Sequence, residues 1–481
     1  MIREWHAKIQ SGEQSAVALT EASFKVIEER DPAIHAFLTL RQEEALKEAA
    51  AVDEKVKRGE AIDLLAGIPG AIKDNITLAH ERTTAGSKIL DNYISPYDAG
   101  VVGKLKQIGA VVVGKTNLDE FALGSSTEHS AYGPTKNPVD ETRVPGGTSG
   151  GSAAAVAAHY VPWALGSDTG GSIRQPASFT GIYGLKPTYG RVSRSGLIAA
   201  ASSLDQIGPM ATAVEDIAIV LTRIAGPDPL DATAEKRPAE VFEDQLTGDI
   251  KGKRIGIPKQ YFSDALDARV RALTDKTIEK LQALGGEIVP LDLTNSRFAL
   301  PVYYIIQPSE LSSNLARFDG IRYGLSVNDG ELSPGSRTGL LETYLDTRRV
   351  GLGPEAKRRV MTGTYTLSAG YYDAYYKKAA AVRELLRSDF RQAFEKVDVI
   401  FSPTTPGPAF KLGSKTADPL QMYLEDIYTV TANLVGVPAL SFPMGTVTEE
   451  GRELPVGGQL MGRWFDEATV LNIAYALEQA K

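Results

Sequence analysis

Apolar and polar positions along this chain change period repeatedly, and the changes lay out its elements. Ser15 precedes a stretch of helical spacing and reads as the N-cap of a helix that runs to about Arg30 and stops at Asp31-Pro32. A second amphipathic stretch, Gln42–Lys57, is rich in Glu, Lys and Ala, with Gly59 as its stop. Short apolar runs then alternate with helical ones. Val111-Val112-Val113 predicts a buried strand behind a helix near residues 99–108, and Asn117 predicts the opening of another helix. Residues 152–158 are small and apolar enough for a central helix laid on a sheet, and Ala164-Leu165-Gly166 reads as the next strand. Helices are predicted over 213–224, 265–284, 368–395 and 467–479. Strands are predicted at 254–257, 287–289 and 397–401, the last closing into Ser402-Pro403-Thr404. This alternation argues an α/β fold, a mixed sheet with helices on both faces. No repeat, low-complexity tract or long flexible linker divides the 481 residues. One large domain over 1–481 is therefore expected, with a helical layer over 1–60 and the chemistry-bearing segments over 61–210.

Composition narrows the chemistry. At 43% hydrophobic and 23% charged residues the chain is ordinary globular material. No apolar run is long enough to span a bilayer, and Met1-Ile2-Arg3-Glu4-Trp5 does not open a signal peptide, so the expectation is a soluble, cytoplasmic protein without membrane contact. The sequence has no cysteine, which removes disulfides, thiolate metal sites and cysteine nucleophiles together. The five histidines (His6, His35, His80, His129 and His159) show no HExxH spacing, and no metal site is expected. A formal net charge of −8 argues against this chain wrapping RNA by itself.

Two glycine-serine clusters stand out. Gly146-Gly147-Thr148-Ser149-Gly150-Gly151-Ser152 is followed by an alanine-rich run and then by Gly166-Ser167-Asp168-Thr169-Gly170-Gly171-Ser172-Ile173-Arg174-Gln175-Pro176. Small residues and hydroxyls at this density let N–H groups and side-chain oxygens crowd around one small substrate. No lysine follows the first cluster in the manner of a phosphate-binding loop, so that reading fails. Upstream, Ile68-Pro69-Gly70-Ala71-Ile72-Lys73-Asp74-Asn75 sets Lys73 in apolar, turn-rich surroundings. Desolvation there brings an ammonium group toward neutrality. A lysine, a bridging hydroxyl and a serine together activate an alcohol without histidine, which points to amide hydrolysis. In the second cluster the successive N–H groups of Thr169, Gly170, Gly171 and Ser172 are expected to face one concavity and bind an oxyanion.

These three segments, in this order, resemble the amidase signature family, whose triad is a lysine, a serine that follows a cis peptide, and a nucleophilic serine. The resemblance implies Lys73 as base, Thr148 as the bridging hydroxyl after a cis Gly147–Thr148 peptide, Ser172 as nucleophile, and Ser149 as support. The family has serine where this chain has Thr148; threonine keeps the hydroxyl and adds a methyl that stiffens χ1. Within the family, the segments Phe121 to Glu128, Asn314 to Gly324 and Gly370 to Tyr376 are most similar to the A subunits of tRNA-dependent amidotransferases. That similarity implies glutamine as substrate, bound by Tyr303, Arg359 and Asp426, whose charges answer an α-carboxylate and an α-ammonium group. It also implies ammonia passed to a B subunit, which uses ATP and Mg to amidate Glu-tRNA(Gln), and a C subunit that wraps the A–B interface. The tRNA would be contacted mainly through the partner, and this chain would hold no cofactor. Two other readings stay open at this level: a free-standing amidase acting on another small amide, and an inactive scaffold subunit.

Overall fold

A parallel pair of buried strands, third and fourth in an eleven-stranded sheet, places the chemistry. The computed structural model describes residues 1–238, 240–262, 266–327 and 339–480. Its strands are β1 (Phe37–Leu40), β2 (Pro69–Lys73), β3 (Val111–Thr116), β4 (Trp163–Asp168), β5 (Tyr183–Lys186), β6 (Gln206–Ala211), β7 (Arg254–Pro258), β8 (Glu287–Leu291), β9 (Val399–Pro403), β10 (Ala439–Glu449) and β11 (Arg452–Gly462). They form one mixed sheet in the order β1-β3-β2-β4-β6-β5-β10-β11-β9-β7-β8. Helices cover it on both faces, as the alternating pattern predicts.

β2 and β4 run parallel, with Gly70 opposite Trp163 and Ile72 opposite Leu165. Every residue of both strands is buried, which explains why they read as continuous small or apolar runs. Gly70 is required at its position, because a Cβ there would collide with the Trp163 indole. Since the strands are parallel, their C-terminal ends deliver Lys73 and Asp168 to the same edge of the sheet. The crossover from β3 to β4 passes through the helix Gly150–Ala157, which is buried throughout Gly150 to Val156. Its glycines and alanines let it press on its neighbours; a Cβ on Gly151 would lie 2.5 Å from the Asn117 backbone. A helix buried on all sides needs no amphipathic stripe.

The predicted helix at Gln42–Lys57 and the terminal helix Glu467–Gln479 form with the expected bounds. The helix expected over 265–284 forms as Ala268–Ala283, and residue 265 lies outside the described residues. Three expectations are corrected. The helix capped by Ser15 continues through Pro32 to Ile34. A proline in the last turn removes a single hydrogen bond, and the exit is made by His35 at φ 61, with the Asp31 carboxylate accepting from Ala36 and Phe37 N–H. Asn117 opens no helix. Its carboxamide is used up on Leu118, Ser130, Gly133 and Thr135, and Phe121 and Ala122 have positive φ, so only a short turn, Glu120–Ala122, forms. The helix expected from 368 begins at Lys378, after Gly370 at φ 86 and a wide turn at Asp373–Lys377. The N-terminal layer, residues 1–60, also contributes β1, which lies at the sheet edge and pairs with β3.

The long β10–β11 hairpin has no counterpart in the predicted elements. Glu450 and Gly451 both have positive φ at its tip, the signature of a two-residue hairpin turn, while Pro443 and a register shift before Gly445 break the alternation that would have announced it. The helices Ala299–Asn314 and Pro354–Leu367 were also not anticipated. They pack closely because Gly363 leaves room for the carbonyl of Pro308, which a Cβ would strike.

Candidate active site

Lys73, at the end of β2, is fully buried and donates to Thr148 Oγ1 at 2.7 Å and Ser149 Oγ at 2.9 Å. Burial pulls its amine down to about 7, against the opposing charges of Asp119, Asp168 and Asp205. Both forms of the lysine are therefore accessible near neutral pH. Ser149 donates its own proton to the Ser167 carbonyl at 3.1 Å, so toward Lys73 it acts only as an acceptor. Among the described residues, Thr148 Oγ1 is the one neighbouring hydroxyl with a proton to give to the amine. The Gly147–Thr148 peptide is cis.

Ser172 sits on the loop between β4 and the helix Arg174–Thr180 and is 7% exposed. Its carbonyl accepts from Ser149 N–H at 3.1 Å, which ties the loop to the Thr148–Ser149 segment. Its hydroxyl takes no hydrogen-bond partner among the described residues, so the expected Thr148–Ser172 contact is not closed in this arrangement.

The loop itself is held by Asp168. This carboxylate accepts from Gly171 N–H at 2.8 Å and Ile173 N–H at 3.2 Å, and it pairs with Arg174 at 3.0 Å, both side chains being fully buried. Burial alone would raise its carboxyl, but the Arg174 charge and hydrogen bonds outweigh burial and hold it at about 2. The oxyanion expectation is thereby corrected in one place. Gly171 N–H is turned onto Asp168, leaving Thr169, Gly170 and Ser172 with N–H groups that take no protein acceptor among the described residues. The Thr169 side chain donates to Asp205 at 2.7 Å, and burial pushes that carboxyl up to about 6.

The three residues expected to hold substrate converge beside this loop. A Cβ on Gly170 would lie 2.6 Å from the Tyr303 ring, so glycine is what lets Tyr303 lie against the loop. Asp426 accepts from Ser125 Oγ at 2.9 Å and Tyr304 Oη at 2.8 Å. Arg359 is fixed by Glu355 at 2.8 Å and Gln307 at 2.9 Å, and its guanidinium lies 5.0 Å from the Tyr304 ring and 4.8 Å from that of Tyr423. The two charges do not pair with each other; Tyr304 stands between them, with its hydroxyl on one and its face to the other. Burial pushes the Asp426 carboxyl up to about 7 even with Tyr304, Ser125 and Arg359 opposing it. A cavity of about 170 Å³ opens next to this group, lined by Glu355, Arg358, Tyr423, Met422, Gly124 and His129.

Sequence reasoning missed Tyr304, Tyr423, Gln307, Glu355, Ser125 and Gln175. The adjacent pair Tyr303-Tyr304 was visible, but nothing local says which ring faces which charge. Gln175 donates to the Ser125 carbonyl and accepts from Gly147 N–H, both at 2.8 Å, and so bridges two loops that are far apart in sequence. Among the described residues no group of three or more His, Cys, Asp or Glu side chains is gathered to hold a metal, and no helix is long and apolar enough to cross a membrane.

A buried lysine near neutrality on a hydroxyl, beside a serine in a glycine loop with free N–H groups, is the equipment of a serine hydrolase that works without histidine. The chain belongs to the amidase family, whose model, described as Amidase, matches residues 18–471. A relative from Carboxydothermus hydrogenoformans, named as the A subunit of glutamyl-tRNA(Gln) amidotransferase, is 55% identical over 477 residues, covering 99% of this chain and 96% of that protein. The crystal structure of the A subunit of glutamyl-tRNA(Gln) amidotransferase from Thermotoga maritima superposes with a TM-score of 0.78 at 41% identity, covering 96% of this chain and 91% of that one. The native peptide amidase of Stenotrophomonas maltophilia superposes with a TM-score of 0.83 at 32% identity, covering 100% and 96%.

Proposed function

We infer that this chain is the glutamine-hydrolysing A subunit of a glutamyl-tRNA(Gln) amidotransferase. The observation that carries the substrate is Tyr304, which holds a buried cation, Arg359, and a buried carboxylate, Asp426, apart on two sides of one ring. Free glutamine is a zwitterion, and a pocket that separates opposite charges beside a nucleophile loop answers its α-carboxylate and α-ammonium while directing the side-chain amide inward. A free-standing amidase for a neutral amide has no use for that pair.

The chemistry follows from the proton positions. Neutral Lys73 accepts the Thr148 proton, and Thr148 in turn takes that of Ser172 once the serine hydroxyl turns onto it. Ser172 Oγ then bonds to the amide carbon, and the oxyanion is met by the N–H groups of Thr169, Gly170 and Ser172. The same path returns the proton to the amide nitrogen, the C–N bond breaks, and ammonia leaves a glutamyl ester on Ser172. Water, deprotonated along the same path, attacks the ester and releases glutamate. In this reading B and C subunits complete the enzyme, the B subunit using ATP and Mg on Glu-tRNA(Gln) and making most of the tRNA contacts, and the assembly works in the cytoplasm.

Purification from the native host under mild conditions tests the partners and the activity together. Two further polypeptides and glutamate release from glutamine are expected. Release lost in Ser172→Ala, with assembly intact, supports the serine; a covalent glutamyl adduct in that variant refutes it.

A further inference from the structure

The turn from Asp426 to Thr429 joins the substrate pocket to the nucleophile loop. Thr429 is fully buried. Its N–H donates to the Asp426 carbonyl at 3.0 Å, and its hydroxyl lies 2.6 Å from the Gly170 carbonyl and 3.1 Å from that of Asp426. Its own carbonyl accepts from Arg174 Nη1 at 3.0 Å. The hydroxyl packs so tightly on the loop that a Cβ on Gly171 would collide with it.

The Gly170–Gly171 peptide is therefore gripped at both ends. Thr429 holds its carbonyl, and Asp168 holds its N–H at 2.8 Å. Because a peptide unit is planar, fixing both ends fixes its orientation. The free N–H groups of Gly170 and Ser172 belong to the peptide units directly before and after it, so their direction depends on it. Of the two grips, that of Asp168 rests on its buried ion pair with Arg174. That of Thr429 belongs to the same short turn as Asp426.

We propose that Thr429 is a positioning residue that transmits occupation of the Asp426 carboxylate to the Gly170–Gly171 peptide, so that an α-ammonium group on the substrate raises turnover as well as affinity. This rests on the reading of the pocket as a glutamine site. An ammonium group on Asp426 steadies the turn, the turn steadies the Thr429 hydroxyl, and the hydroxyl sets the peptide that aims the oxyanion donors. Selectivity for glutamine over amides without the ammonium then appears in the chemical step, where binding contacts alone would not place it.

The test uses the purified complex with glutamine and follows glutamate release for the wild type, Thr429→Val, Thr429→Ser, and both changes in an Asp426→Asn background. Thr429→Val is expected to lower kcat about tenfold while KM moves less than about threefold, since it removes one hydrogen-bond donor and keeps the shape. Thr429→Ser restores most of the loss. In the Asp426→Asn background Thr429→Val costs less than about twofold, because the signal it relays is gone. An undiminished tenfold loss in that background, an effect on KM alone, an unchanged kcat, or a serine variant as poor as valine each overturns the proposal. If valine prevents folding by circular dichroism, Thr429→Ala is judged by the same readouts. A wild-type complex that releases no glutamate defeats the glutamine reading itself, and this proposal with it, before any variant is compared.

Discussion

Lys73 Nζ lies 2.7 Å from Thr148 Oγ1, with both side chains fully buried, while the neighbouring Ser149 hydroxyl is committed to the Ser167 carbonyl. The path of the proton is thereby narrowed to the threonine. Thr148→Ser keeps the oxygen and is expected to preserve or increase glutamate release. Thr148→Val keeps the shape and deletes the oxygen, and a loss of about two orders of magnitude or more is expected, the scale of a removed acid–base group. Full activity in the valine variant would mean that Ser149 or a water carries the proton.

The pH dependence has a definite sign. Lys73, brought down to about 7 by burial, works as a base when neutral, and Asp426, pushed up to about 7 by burial, attracts an ammonium group when ionised. Both working forms are the deprotonated ones, so activity is present above about 7 and lost as the pH falls through it. In kcat/KM, which reports the free enzyme, both groups count, and log kcat/KM should fall with a slope approaching two. In kcat the bound ammonium already holds Asp426 ionised, leaving a slope of one. A slope of one in both profiles would remove Asp426 from the ammonium site.

Arg359→Ala and Asp426→Asn should each raise the glutamine KM by about one to two orders of magnitude, the worth of a charge-assisted contact, with the circular dichroism spectrum unchanged. Glutamine kinetics unaltered in both variants would favour an amidase acting on a different amide.

Asp168→Asn should destabilise the fold by about 3–5 kcal/mol in urea unfolding, because it leaves the Arg174 guanidinium buried without a countercharge. The exposed pair Lys47–Glu43 provides the contrast, and Glu43→Gln should leave the urea midpoint where it is. Equal midpoints for the two variants would show that the buried network, and not this one carboxylate, sets the loop.

By itself the sequence determined what local periodicity and composition can carry. Helices with their own caps and amphipathic faces, such as Gln42–Lys57 and Glu467–Gln479, declare themselves within one window. So do short apolar strands such as β7 and β9, and the glycine-serine clusters with their lysine upstream. The order of those three segments was also enough to identify the family resemblance. Tertiary structure decided everything that depends on residues meeting from far apart. The β10–β11 hairpin was hidden because Pro443 and the register shift at Gly445 interrupt its alternation, and pairing across strands supplies what the pattern lacks. The end of the helix capped by Ser15 was set by Asp31 reaching forward to Ala36 and Phe37, not by Pro32. At the site, the family resemblance gave Thr148, Ser149 and Ser172 separate roles but not their hydrogen-bond partners. Only packing at the ends of parallel β2 and β4 made one the acceptor of Lys73 with its own proton uncommitted, locked another on Ser167, and left the third free. Likewise, Gly171 looked like an oxyanion donor until Asp168 was seen to take its N–H. A side chain's chemical type is local, but its burial, its partners and therefore its protonation are properties of the assembled fold.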